Sequence, residues 1–113
     1  GPVSRQFVLR TVDEQLETRR GEPLRVTELS TACGVSVRTL YNVFEEAHGV
    51  SPMAYVRLRR LNAVRRTLVR ADPDETTVSE AALRWGFWHP GAFSVLYRRT
   101  FGETPSETLR RRR

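Results

Sequence analysis

Hydrophobic positions recur at helical spacing from one end of this chain to the other, and no segment alternates with the period of two that a half-buried strand requires. Val8, Leu9, Val12 and Leu16 predict a first helix that ends near Arg19-Arg20-Gly21 and the following Pro23. Thr27 suits the N-cap of a short second helix that reaches about Cys33 and stops at Gly34. Ser36 predicts the cap of a third helix over about 37–48, with Leu40, Val43, Phe44 and Ala47 on one face and Gly49 past its end. Ser51 and Pro52 open the longest helix, serine as cap and proline at the first helical position for which its ring is preset. Its inner stripe reads Tyr55, Leu58, Leu61, Val64, Leu68 and Val69, while Arg57, Arg59, Arg60, Arg65, Arg66 and Arg70 cover much of the rest. Asp72-Pro73-Asp74 breaks it. A short helix over about 78–85 follows, then Gly86. A longer one runs from Pro90 to Gly102 with Phe93, Leu96 and Tyr97 inward, and Pro105 opens a last one that frays into residues 110–113.

The last third repeats the pattern of the first. Cys33-Gly34-Val35-Ser36, then Phe44, Gly49 and Pro52, is echoed by Trp85-Gly86-Phe87-Trp88, then Tyr97, Gly102 and Pro105. The leading glycines lie 52 residues apart, and glycine-to-glycine spacing is 15 residues in the first copy and 16 in the second. The second turn therefore carries one extra residue. Two copies of short helix, glycine turn and longer helix predict an all-α fold of about seven helices: two helix-turn-helix subdomains joined by a long linker helix. The expected divisions are residues 1–4 as a cleavage remnant, 5–52 and 73–113 as the subdomains, and 53–72 as the linker. A helix-turn-helix needs a small residue where its helices touch and a glycine at the bend. Ser30 and Gly34 fill those places first, with Leu29, Val35, Leu40 and Val43 as the wedge; Ala82 and Gly86 fill them second, with Ala81, Phe87 and Phe93.

Composition narrows the function. At 113 residues the chain holds one domain or two very small ones, and no apolar run approaches a membrane span. Gly1-Pro2-Val3-Ser4 has neither an initiator methionine nor the layout of a secretory signal, so it reads as the scar of a piece cut from a longer protein. The single Cys33, with only His48 and His89 for company, predicts no disulfide, no metal and no cofactor, and a reducing cytoplasm. Net charge is +6, and all 19 basic residues are arginine, which the codon bias of a GC-rich genome suffices to explain. Its distribution says more: residues 1–31 balance to zero, 32–71 carry +5 and 72–113 carry +1. An electropositive middle suits phosphate. No nucleophile–base pair, carboxylate dyad or phosphate-cradling glycine loop is present, so an enzyme is not expected. A module whose helices chiefly bind protein is the other alternative. Trp85, Phe87 and Trp88 are expected as core around the second turn, Cys33 as a small buried hydrophobe and His48 as a helix C-terminal cap.

The run Leu29-Ser30-Thr31-Ala32-Cys33-Gly34-Val35-Ser36, then Arg38-Thr39-Leu40, Phe44 and Gly49-Val50-Ser51-Pro52, resembles the DNA-binding domain of the AraC/XylS family. Leu58-Arg59-Arg60-Leu61-Asn62-Ala63 and Arg98-Arg99-Thr100-Phe101-Gly102-Glu103-Thr104-Pro105 match as well, so the resemblance covers about residues 5–110. Gly86-Phe87-Trp88-His89 with Gly91 and Phe93 is similar to a subgroup that includes ethanolamine-utilisation regulators. The resemblance implies a bacterial transcription regulator, usually an activator, whose two recognition helices enter successive major grooves of double-stranded DNA. It further implies RNA polymerase as a second partner, a preceding effector-binding or dimerisation domain, and a place in the cytoplasm on the nucleoid. In the first recognition helix the outward residues are Arg38, Thr39, Tyr41, Asn42 and Glu45. Arg38 suits guanine O6 and N7, or a phosphate; Asn42 suits adenine N6 and N7. Tyr41 lies along the groove wall or reads a base, and Glu45 falls past the bases. Base-contact positions of the second helix map onto Pro90, Gly91, Ser94 and Val95, where Val95 offers only a surface for a thymine methyl. Related chains often have Leu and Arg where this one has Pro90 and Ala92, so the first half-site is expected to hold most of the sequence information. Ser36, His89, Gly91, Arg98 and Arg99 are the expected phosphate contacts, with His89 alternatively an N-cap.

Overall fold

The computed structural model describes residues 3–111, so Gly1, Pro2, Arg112 and Arg113, with part of the expected remnant and of the arginine tail, lie outside the described residues. Seven helices and no strand occur among the described residues: α1 (Arg5–Thr18), α2 (Val26–Cys33), α3 (Val37–His48), α4 (Pro52–Arg70), α5 (Val78–Arg84), α6 (Pro90–Phe101) and α7 (Pro105–Arg110). They fall into two compact units, Gly1–Leu58 and Arg59–Arg113, and the boundary lies within α4.

In the first unit α1 starts at Ser4, whose hydroxyl accepts the Phe7 N–H at 3.1 Å and satisfies one of the free donors of the first turn. Val8, Val12 and Leu16, spaced four apart, form its buried stripe and pack with Leu24, Leu29, Cys33, Leu40, Phe44 and Val56. The start of α2 differs from expectation. Arg25, not Thr27, is the N-cap, because the Glu28 carboxylate reaches back to accept the Arg25 N–H at 3.0 Å and opens the helix two residues earlier. Thr27 sits inside the first turn, where its carbonyl accepts the Ser30 and Thr31 hydroxyls, both at 2.9 Å. Ser36 caps α3 through the Thr39 N–H at 3.1 Å. The last turn of α3 runs past the core, so Ala47 is exposed. His48 is not a cap either: Gly49, at φ +68°, takes that place, while the imidazole stacks on Tyr55 with centroids 4.6 Å apart. Tyr55 in turn donates its hydroxyl to Asp13 at 2.6 Å.

The second unit closes around Leu61, Val64 and Leu68 of α4, Ala81 and Ala82 of α5, Phe93 and Tyr97 of α6, and Leu109 of α7. The rings of Phe87, Phe93, Tyr97 and Phe101 follow one another at centroid distances of 4.9, 5.7 and 4.7 Å, within the range of favourable aromatic pairs. Tyr97 donates its hydroxyl to Thr108 at 2.7 Å; Thr108 donates to Glu103, which also pairs with Arg111. Three expectations for α4 change. Leu58 is 43% exposed, and Val56 takes the inward place instead. Arg60 is buried. The guanidinium of Arg65 lies 5.4 Å from the Phe101 ring centre, so its stem and charge pack on the core rather than face solvent.

Candidate nucleic-acid interface

The two helix-turn-helix turns repeat bond for bond at the 52-residue offset. In the first, the Gly34 N–H donates to the Thr31 carbonyl and the Val35 N–H to the Ser30 carbonyl, both at 3.1 Å. In the second, Gly86 donates to Leu83 at 3.1 Å and Phe87 to Ala82 at 3.0 Å. Gly34 and Gly86 stand at φ +70° and +89°, a conformation in which any Cβ is strained. Ser30 and Ala82 are buried where the helices of each pair meet, as small residues must be for close approach. The turns then part ways. α3 begins three residues after Gly34, but α6 begins four residues after Gly86. The extra residue falls between Phe87 and Pro90, where Trp88 and His89 occupy the stretch that Ser36 spans alone in the first unit.

α3 offers a hydrogen-bonding face. Arg38, Thr39, Tyr41, Asn42 and Glu45 are all exposed. Arg38, Tyr41, Asn42 and Glu45 share one side by their spacing of three, four and seven, opposite the buried Leu40 and Phe44. Ser36 caps the helix as expected, and its hydroxyl also donates to the Thr39 hydroxyl at 3.1 Å, so both hydroxyls are engaged. Glu46, one residue beyond Glu45, forms an exposed ion pair with Arg5 at 3.1 Å.

α6 offers a different face. His89 stands at its N-cap without a side-chain capping bond, and Pro90 is the first helical residue. Gly91 is exposed, and a Cβ placed on it would meet nothing within 4 Å. Ser94 is exposed, and so is Val95, at 58%. Arg98 and Arg99 are exposed in the last turn, where the helix dipole favours cations. The expected core role of Trp88 fails. Trp85 and Phe87 are half-buried, with the Trp85 indole N–H donating to Thr67 at 3.1 Å, whereas Trp88 is 61% exposed. The physical reason is the extra turn residue: Phe87 and Phe93 already fill the space beneath the turn, and the inserted position is left outside. The one-residue difference in glycine spacing is the sequence signal for it.

Burial pushes the Cys33 thiol up, opposite to the shift that activates a cysteine nucleophile. Among the described residues no group of three His, Cys, Asp or Glu side chains is placed to hold a metal, and no helix is long and apolar enough to cross a membrane.

Residues 29–111 match a family described as a helix-turn-helix domain. The chain is 40% identical over all 113 residues to the XylDLEGF operon transcriptional activator 1 of Pseudomonas putida, of which this stretch makes up 33%. It spans about a third of the length of the curated relatives it matches. Among solved structures it is similar to a probable AraC family transcriptional regulator from Rhodopseudomonas palustris, at 39% identity and a TM-score of 0.76, covering 90% of this chain and 94% of that one. It is also similar to the DNA-binding domain of AdpA, a global transcriptional factor solved with a target DNA, at 27% identity and a TM-score of 0.79, covering 90% and 88% of the two chains. With both turns built alike, their second helices exposed, and these matches spanning most of its length, the chain belongs to the AraC family of helix-turn-helix DNA-binding domains of transcription regulators.

Proposed function

We propose that this chain binds duplex DNA sequence-specifically as the DNA-binding part of a bacterial transcription activator, with α3 and α6 each entering a major groove. The observation that carries this reading is the exposed face of α3, where a guanidinium at Arg38 and an amide at Asn42 sit one helical turn apart, beside Tyr41. Arg38 takes guanine and Asn42 takes adenine through paired hydrogen bonds. Thr39 adds a base contact and Ser36 a phosphate contact at the head of the same helix. In the second half-site Ser94 and Val95 face bases, while His89, Gly91, Arg98 and Arg99 meet phosphates. Residues 5–52 and 73–113 act as the two reading subdomains, with 53–72 as their linker. In this reading RNA polymerase is a second partner, an effector-binding or dimerisation domain belongs to the full protein, and the site of action is the cytoplasm, on the nucleoid; similarity to a relative named as an operon transcriptional activator supports the activator role. The role is binding, not catalysis.

Selection of sites from a randomised duplex pool at near-physiological salt tests this. A bipartite motif, sharper in the half that α3 reads, is the expected result. Retention on DNA with no enriched motif would leave only phosphate attraction and would overturn sequence-specific reading.

A further inference from the structure

Among the large hydrophobic side chains left in solvent, the two most exposed both belong to the second reading element: Trp88 at 61% and Val95 at 58%. Neither belongs to the hydrophobic core of its unit or packs against it. Trp88 enters none of the ring contacts that join Phe87, Phe93, Tyr97 and Phe101. Val95 lies on the side of α6 opposite the buried Phe93 and Tyr97. Single exposed apolar residues are ordinary on protein surfaces, but these two frame a helix whose remaining outward residues near its start, Gly91, Ala92 and Ser94, offer one hydroxyl and no charge or amide. Trp88 lines a groove of about 400 Å³ between α5 and α6 together with Leu83, Pro90 and Ser94, so the indole lies on the Ser94 side of the helix start. Arg98 and Arg99 continue that helix with positive charge.

The major-groove edge of DNA has one apolar feature that a surface of this kind can recognise, the 5-methyl group of thymine. We propose that α6 reads thymine methyls through Trp88 and Val95, and that Trp88, displaced outward by the extra turn residue, is a specificity-determining residue of the second half-site. This rests on the DNA-reading function proposed above and adds what the second helix reads. α3 discriminates bases by hydrogen bonds, whereas α6 discriminates them by burying methyl groups. Trp88 extends the apolar surface past the helix start, beyond the reach of Val95.

The test uses the 113-residue chain and a duplex obtained by the selection above. Thymines are replaced singly by 2′-deoxyuridine, which removes the methyl and leaves the hydrogen-bonding edge intact. Affinity is read by fluorescence anisotropy. Burying one methyl predicts a loss of about fourfold per critical thymine of the second half-site. Trp88→Ala and Val95→Ala should each bind more weakly and lose sensitivity to uracil at their own thymines, while uracil in the first half-site affects all three proteins equally. Because both side chains are exposed, the variants should melt at the wild-type temperature, which circular dichroism checks. Uracil tolerated throughout the second half-site by the wild type would overturn the inference, as would a uracil penalty that survives both substitutions. Selective binding without a methyl effect would sink this inference alone; failure of the selection itself would sink the DNA-reading function.

Discussion

Replacing Arg38 by alanine removes an exposed guanidinium from the second position of α3, with Leu40 and Phe44 of the core on the far side of the helix. The substitution therefore leaves the fold intact, and its effect falls on binding. A bidentate contact to guanine contributes roughly 1–3 kcal/mol of discrimination, so affinity for the selected site should fall roughly 5- to 150-fold. Affinity for a scrambled duplex should change little, because it offers no matched guanine. A phosphate contact behaves differently: it weakens both duplexes alike and reduces the slope of log affinity against log salt by about 0.9. Anisotropy titrations on both duplexes, repeated over a series of salt concentrations, separate the cases. An equal loss on selected and scrambled DNA, with the slope reduced by one phosphate, would refute base reading by Arg38 and leave Asn42 as the main reader of the first half-site.

Three further outcomes follow from the backbone and the caps. Gly34→Ala forces a Cβ into the left-handed region at φ +70°, although only Val3 lies near, at 4.0 Å; denaturant unfolding should show a loss of roughly 1–2 kcal/mol. Gly91→Ala should do the reverse. Its backbone is helical and the space around it is empty, so stability rises by up to about 1 kcal/mol, while DNA affinity drops if a phosphate approaches the helix start; a gain in both would remove Gly91 from the interface. Bonds from the Thr104 backbone and hydroxyl hold the Glu107 carboxyl below the usual glutamate range. Its stabilising effect is thus complete above about pH 4.3 and is lost as pH falls through the lowered folded value. Thermal melts followed from neutral pH down into the acid range should fall less steeply for Glu107→Gln than for the wild type.

Features governed by a few neighbouring residues are legible in the chain itself. Glycines at the two bends, the serine cap at Ser36, and proline at the starts of α4, α6 and α7 act through local backbone geometry, so spacing alone locates the helices and reveals the repeat. Even the extra residue of the second turn can be counted along the sequence. Most of the α3 face is legible for the same reason: once Leu40 and Phe44 face inward, the helical period leaves Arg38, Tyr41 and Asn42 outside. The cap of α2 escapes such reading because arginine is not a usual capping residue, and Glu28 supplies the missing bond from the other side.

Burial is another matter, since it depends on which distant residues cover a side chain. Aromatic character makes Trp88 look like core, and arginine makes Arg60 and Arg65 look like surface. The structure reverses each, because Phe87 and Phe93 have already filled one space while Phe101 accepts the Arg65 guanidinium in another. The place of His48 at a helix end suggests a cap, yet Tyr55, seven residues on, supplies a ring to stack against. The helices, their turns and the doubled reading unit arise from interactions within about one helical turn, and the order of residues is enough to specify them. Which of the large side chains each unit leaves in solvent is settled by tertiary packing, because solvent exposure belongs to the packed neighbourhood of a residue and not to its type.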